Sequence, residues 1–326
     1  MRVSVVVPAH NAAVTIGECL EALHRQALPG ADYEVIVVDD GSSDSTREKV
    51  AEYGAKLLTQ DHQGPAVARN LGAAQARGEI VLFTDADCVP ASDWIETMLT
   101  PFSDDQIVGA KGVYRTHQKE LVARFVQLEY EDKYDLMRRE RYIDFIDTYS
   151  AAYRKEVFNH NEGFDSAFPR ASGEDVEFSY RLAERGHKMV FVPQAIVYHR
   201  HAHSIWEYLK RKFYVGYWRV LMYRKHPGKI WKDSHTPQIL KLQVGLSLLS
   251  TGFALLTPLS KGFRISAFGL AILFLATTLP FSLKARTRDG AVALLSPPLL
   301  FLRAVALGTG FMMGLLAYTL SKEGGA

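Results

Sequence analysis

The residues best suited to chemistry are carboxylates standing where apolar runs end. Ile80-Val81-Leu82-Phe83-Thr84 leads straight into Asp85-Ala86-Asp87, and such a continuous apolar run is the pattern of a central strand covered on both faces. Two carboxylates separated by one residue suit a hard divalent cation such as Mg2+, which completes its shell with water and substrate phosphates. A diphosphate is the natural partner. An isolated Asp-X-Asp is equally an ordinary turn, so the weight rests on its neighbours. Asp39 and Asp40 close a second apolar run, Tyr33 to Val38, and Glu174 and Asp175 open a helical stretch after Gly173. Acidic residues at a helix start also serve as plain dipole partners. In His199-Arg200-His201-Ala202-His203, one neutral imidazole beside a carboxylate site is a better reading than three ligands on so short a run. His199 is that candidate, and His201 and His203 are expected to face solvent.

The elements that must position these groups alternate. Val3 to Val7 reads as a first strand ended by Pro8-Ala9-His10-Asn11, with helical spacing following at Ile16, Leu20 and Leu23. Tyr33 to Val38 is the second strand, and Asp39 to Thr46 leads into a helix reaching about Tyr53. Ala55 to Leu58 is a short third strand, Gly64 to Gly78 a helix, and Ile80 to Thr84 the fourth strand. Strand-helix alternation predicts right-handed crossovers and a mostly parallel sheet, with functional loops along one edge. Further on, a helix at Trp94 to Leu99, strands at Ile107 to Tyr114 and Thr148 to Arg154, and extended pieces at Met189 to Val192 and Ala195 to Tyr198 are predicted. Leu121 to Arg141 reads as a charged helix packed by Leu121, Phe125, Leu128 and Leu136.

Composition narrows the function classes. A net charge of +2 over 326 residues argues against general nucleic-acid binding. Cys19 and Cys88 are too few for a disulfide framework or a thiolate zinc site. The apolar run before Pro8 is too short for a signal peptide, which starts the first domain in the cytoplasm. Neither the Gly-X-X-X-X-Gly-Lys-Ser/Thr loop nor the Gly-X-Gly-X-X-Gly fingerprint follows the early strands, so the usual ATPase and dehydrogenase signatures are missing. A nucleotide sugar remains the attractive substrate.

The last third of the chain changes character. From His203 to Asp233, basic residues alternate with Trp206, Tyr208, Phe213, Tyr214, Tyr217, Trp218 and Trp231, a mixture suited to a membrane interface. Apolar segments follow near Leu240 to Leu259, Ile265 to Leu283 and Ala291 to Leu320. Pro297-Pro298 and Arg303 interrupt the third, which predicts an interfacial or re-entrant piece up to Phe301 and a span from Ala304. A buried soluble hairpin is the competing reading, but these long runs lack the polar face of a packed soluble helix. Lys284, Arg286 and Arg288 against Lys261 and Arg264 place the second loop and the N-terminal domain inside. The domains predicted are a catalytic region over 1–202, basic aromatic interfacial helices over 203–238, and a membrane region over 239–326.

Val3 to Asn11, Val38-Asp39-Asp40-Gly41-Ser42, Ala68-Arg69-Asn70-Leu71-Gly72, Asp85-Ala86-Asp87 and Gly173-Glu174-Asp175 stand in the order found in family 2 glycosyltransferases. Over roughly residues 1–200 the chain resembles the membrane-attached bacterial type of that family. The resemblance implies an α/β GT-A nucleotide-diphospho-sugar transferase fold, a Rossmann-like sheet with C-terminal transmembrane helices, and an inverting reaction. It also implies a donor site at Pro8, Asn11, Asp39, Asp40, Arg69, Asp85 and Ala86, in which Asp40 with Asp39 contacts the base. Arg69 lies near the nucleotide, and Asp85 approaches the ribose or metal. Asp87, with Asp85 and His199, would bind Mg2+ or Mn2+. Asp175 becomes the catalytic base, and Glu174 orients the acceptor or supports Asp175.

One departure from the family's processive members carries information. No Gln-X-X-Arg-Trp follows Asp175, where Arg211 to Trp218 stands instead. Transfer of a single sugar from a nucleotide-diphosphate donor to a membrane-associated acceptor, such as a lipid-linked glycan, fits better than polymer extrusion. A polyprenyl-phosphate sugar synthase is the alternative enzyme, and a catalytically silent nucleotide-binding membrane scaffold the alternative of another class. The expected location is the cytoplasmic membrane with the catalytic domain facing the cytoplasm. Membrane lipids and the two substrates are the expected partners, nucleic acid is not, and oligomers through the terminal helices are left open.

Overall fold

Strand β1 (Val3–Ala9) lies inside the sheet, and its Val3, Val5, Val6 and Val7 are fully buried. The structure, a computed structural model, describes residues 3–27, 33–168 and 173–323. In chain order come α1 (Ile16–His24), β2 (Tyr33–Asp40), α2 (Thr46–Glu52), β3 (Lys56–Gln60), α3 (Pro65–Gln75), β4 (Ile80–Phe83), β5 (Cys88–Pro90), α4 (Trp94–Leu99) and β6 (Ile107–Arg115). Then follow α5 (Leu121–Met137), β7 (Ala151–Arg154), α6 (Lys155–His160), α7 (Glu174–Glu184), β8 (Lys188–His199), α8 (Ile205–Lys225), α9 (Gln238–Leu255), α10 (Lys261–Arg286) and α11 (Gly290–Glu323). Two compact units result, one of Met1–His117 with Met137–Arg200, the other containing Gln118–Leu136 and the chain from His201.

The first unit holds a sheet in the order β3-β2-β1-β4-β7-β6-β8-β5. Its first four strands are parallel, as strand-helix alternation requires. Beyond them the sheet is mixed rather than mostly parallel: β7 runs antiparallel to both β4 and β6, and β5 antiparallel to β8. Alternation breaks down where strands are no longer joined by single crossover helices. The two extended pieces expected before His199 form one strand, with a register shift between Lys111 and Val113 on the partner β6. The strand expected from Thr148 starts at Ala151, because Thr148–Ser150 is a tight 3-10 turn.

The second unit contains α5, whose acidic residues meet basic residues from the C-terminal helices. Arg124 forks onto both Asp289 oxygens at 2.6 Å, and Lys284 lies 2.8 Å from Asp132 and 2.7 Å from Asp135. Arg288 pairs with Glu131. Buried Glu129 accepts from Arg303 at 2.7 Å and from Tyr208 at 3.0 Å, and Lys212 reaches it at 3.0 Å. Among the described residues of this unit, three helices are long and apolar enough to cross a membrane: Gln238–Leu255, Lys261–Arg286 and Gly290–Leu320, with mean hydropathies of 1.2, 1.8 and 1.9. The break expected at Pro297-Pro298 does not occur, since α11 runs continuously through both prolines. Arg303 does not interrupt it either, because Glu129 and Gln243 take its guanidinium inside the unit. Trp206 and Trp231 are 77% and 81% exposed, whereas Tyr208 is core. His201 is buried, not solvent-facing: it stacks on Tyr130 and approaches Gln127 at 3.0 Å.

Candidate functional site

The parallel half of the sheet delivers its loops to one edge. Ala9 pairs with Asp39 in register, and Val6 with Phe83, so the ends of β1, β2 and β4 lie side by side. Ligands gather at this carboxyl edge in open α/β sheets.

Helix α3 contributes Arg69, and its seating explains the spacing of the segment. A Cβ on Gly72 would lie 2.3 Å from Val6 Cγ1, so only glycine lets the helix approach β1 this closely. Asn70 donates to the Phe164 carbonyl at 2.7 Å and accepts from the Phe164 amide at 2.9 Å, fixing the loop ahead of α7. Phe178 of α7 packs edge-on against Phe164 and Tyr153, which anchors the helix that carries Glu174 and Asp175. Arg69 is buried and forked. Nη2 donates to Asp85 Oδ1 at 2.7 Å and Nη1 to Glu174 Oε1 at 2.9 Å. Burial disfavours the guanidinium charge, but Asp85 and Glu174 more than offset it, so Arg69 stays a cation.

Glu174 is buried and pairs with Arg69, and its Oε2 accepts from the Gly173 amide at 3.1 Å. Asp175, one residue on, keeps partial access to solvent. Its Oδ1 accepts from the Val176 amide at 2.8 Å and its Oδ2 from the Thr148 amide at 3.4 Å. Burial, then the charges of Glu174 and Asp147, push its carboxyl up to about 8. The helix N-terminus opposes this shift and is overruled.

Asp87 is 48% exposed at the side chain, and its Oδ2 lies 3.2 Å from His199 Nε2. Strand β5 makes this meeting, because Cys88 pairs with His199 across the β5–β8 ladder, 111 residues away in sequence. Tyr114 stacks on the imidazole at a centroid distance of 4.5 Å. Asp87, Cys88 and His199 bring donor atoms within 4.8 Å of one another. Burial, then Asp85 and Asp87, keep the Cys88 thiol protonated, leaving carboxylate and imidazole as the fitting donors for a divalent cation.

Asp39 and Asp40 separate in role. Asp40 is held by three hydrogen bonds: Oδ1 accepts from Gln60 at 2.7 Å and the Gln63 amide at 2.8 Å, and Oδ2 from the Gly64 amide at 2.9 Å. Burial works against its charge, but these bonds prevail and hold it below the ordinary carboxylate range. Asp39 Oδ2 accepts from Arg47 at 2.6 Å, while its buried Oδ1 has no hydrogen-bond partner among the described residues. Asn11, at φ +50°, accepts from the Ser43 amide on its side-chain oxygen at 2.9 Å, and its own amide donates to Ser42 Oγ at 2.9 Å. Pro8 and Ala86 contribute backbone at the ends of β1 and β4.

Sequence reasoning missed a buried lysine. Lys111 of β6 pairs with Asp147 and donates to Tyr149 Oη at 2.9 Å, beside the group that bears on Asp175. A lysine inside an apolar strand was the available signal, since buried lysines are nearly always paired.

The chain is similar to known glycosyltransferases in sequence and fold. The model described as glycosyl transferase family 2 matches residues 4–161. Glycosyltransferase AglE of Haloferax volcanii is 30% identical over 230 residues, 66% of this chain and 71% of that protein. Pre-mycofactocin glycosyltransferase of Mycobacterium tuberculosis is 30% identical over 239 residues, 70% of this chain but only 48% of that protein. Mannosyltransferase PcManGT from Pyrobaculum calidifontis, determined with GDP-Man and Mn2+, shares the fold with a TM-score of 0.59 at 20% identity, over 98% of this chain and 87% of that one. The chain therefore belongs to glycosyl transferase family 2 and is a glycosyltransferase.

Proposed function

We propose that the protein is a metal-dependent inverting glycosyltransferase that moves one sugar from a nucleotide-diphosphate donor to a hydroxyl of a membrane-associated acceptor, such as a lipid-linked glycan. The observation that carries this reading is the Arg69 fork, which ties the acidic loop after β4 to the helix start holding Asp175.

Asp39 is the base-facing acceptor, because its buried Oδ1 lacks the N–H that a nucleobase would supply. Asp40 shapes the loop around it. Asp87 and His199, with Asp85 nearby, fit Mn2+ or Mg2+, and a bound Mn2+ in the Pyrobaculum mannosyltransferase is consistent with that fit. Such an ion supplies neutralisation of charge on the departing diphosphate. Asp175 takes the proton of the acceptor hydroxyl as its oxygen forms the bond to the anomeric carbon. The carbon–oxygen bond to the diphosphate breaks on the opposite face, and its electron pair leaves with the nucleotide. A carboxyl whose proton affinity is raised is a competent base for this task. The apolar helices and exposed Trp206 and Trp231 suit attachment to the cytoplasmic face of a membrane.

A screen of nucleotide sugars for turnover, with membrane extract as acceptor source, tests the reading. Release of nucleoside diphosphate that depends on extract supports it, and no turnover with any donor would refute it. A phosphate acceptor is already ionised, so full transfer by Asp175→Asn would instead identify a polyprenyl-phosphate sugar synthase.

A further inference from the structure

A second group of metal-ligating side chains lies apart from Asp87 and His199. His10 follows β1, Asp40 ends β2, and His62 stands in the loop before α3; one donor atom from each lies within 4.8 Å of the others. His62 Nδ1 is 3.0 Å from Asp40 Oδ2, His10 Nδ1 is 2.7 Å from the Asp40 carbonyl, and the two rings face each other with centroids 4.2 Å apart. The carboxylate between them is rigid, held by Gln60, Gln63 and Gly64. The close approach of the His62 loop depends on Gly41, at φ +72°, where a Cβ would lie 2.8 Å from the His62 amide nitrogen. The His62 side chain is 60% exposed, so the group is open to an ion from solution.

We propose that His10, Asp40 and His62 form a second metal site, selective for a borderline cation such as Zn2+ over Mg2+. Two imidazoles and one carboxylate are the donor set of tetrahedral zinc sites that keep a fourth position open, whereas Mg2+ prefers oxygen donors in an octahedron. The ion takes the place of the direct contact between His62 and Asp40, and it clamps the two loops together. Resting on the nucleotide assignment above, a clamp here sits at the rim of the base pocket, so Zn2+ hinders donor entry while Mg2+ does not.

The test is Zn2+ binding to the metal-stripped full chain in detergent, measured by competition with a chromophoric chelator. Wild type is expected to hold two equivalents, one of which His62→Gln and His10→Phe each lose; Asp87→Asn loses the other and keeps this one. The phenylalanine preserves ring stacking, which separates ligation from packing. Unchanged binding by both histidine variants would overturn the proposal. Nucleoside diphosphate binding, followed in the same samples at fixed Mg2+, is expected to weaken at least tenfold with Zn2+ in wild type and not in His62→Gln. If Zn2+ binds through the histidines without weakening the nucleotide, the metal site stands and the base-pocket assignment of this rim fails.

Discussion

Arg69 and Glu174, 105 residues apart in sequence, meet in a buried ion pair of 2.9 Å. Removing one partner of such a pair leaves an uncompensated charge, at a cost of about 3–5 kcal/mol. Arg69→Met is therefore expected to unfold at clearly lower denaturant than wild type. Glu174→Gln keeps a hydrogen-bonding oxygen and is expected to fold, with kcat/KM lower by roughly 10–100-fold as Asp175 and Asp85 lose their common anchor. Activity of Glu174→Gln equal to wild type would show that the pair is structural only.

The pH dependence follows from Asp175, held up to about 8 by burial, Glu174 and Asp147. As the proposed base, Asp175 must be ionised, so kcat/KM is expected to rise with pH and to level above about 8. Stability moves in the opposite sense. The folded chain holds this proton more tightly than the unfolded one, where the carboxyl titrates at roughly 4; the favourable contribution is complete below that pH and lost as pH climbs to about 8. Because Asp175 is partly exposed, Asp175→Asn is expected to gain only about 1–2 kcal/mol of relative stability between these limits. Denaturation midpoints at both pH values measure this gain, and a flat difference would contradict it.

Lys111 bears on the same proton through Asp147, with which it pairs. Lys111→Met takes a cation away from Asp147, so Asp175 is expected to bind its proton more tightly and the rising limb to move to higher pH. A variant that lost stability with its pH profile unmoved would restrict Lys111 to packing.

The parts that were legible in the sequence are those fixed by local chemistry. Val3 to Val7 and Ile80 to Phe83 announced buried strands, and Asp39, Asp85 and Asp87 stood at strand ends because apolar runs stopped there. Family resemblance added Arg69, whose purpose depends on a partner 105 residues away. Less legible was whatever depends on long-range pairing. Strand β5 is three residues long, too short for periodicity, yet it brings His199 to Asp87. The burial of His201 depends on Tyr130 and Gln127 of α5, and the continuity of α11 on Glu129 and Gln243 accepting Arg303. No window around His201 or Pro297 contains those partners.

The α5 ion pairs give a prediction about the C-terminal helices. Glu129 is buried between Lys212 and Arg303, so Glu129→Ala is expected to cost about 3–5 kcal/mol, whereas Lys284→Glu, at a partly exposed pair, costs about 1 kcal/mol. Adding Asp132→Lys to Lys284→Glu is expected to recover part of the loss. A chain ending at residue 202 keeps α5 without Lys212, Lys284, Arg288 and Arg303 and is expected to aggregate. Thermal unfolding in detergent and gel filtration check these outcomes.

Asp87 and His199 are proposed to hold the cation that makes the donor diphosphate a leaving group. The most direct test is nucleoside diphosphate release by the full chain, with the donor and extract found in the screen, before and after chelation and on return of Mn2+ or Mg2+. Wild type is expected to lose activity on chelation and regain it with metal, and folded Asp87→Asn to run at least ~100-fold slower at saturating metal. Wild-type turnover unaffected by chelation, or Asp87→Asn turnover equal to wild type, would show that transfer needs no cation at Asp87 and His199.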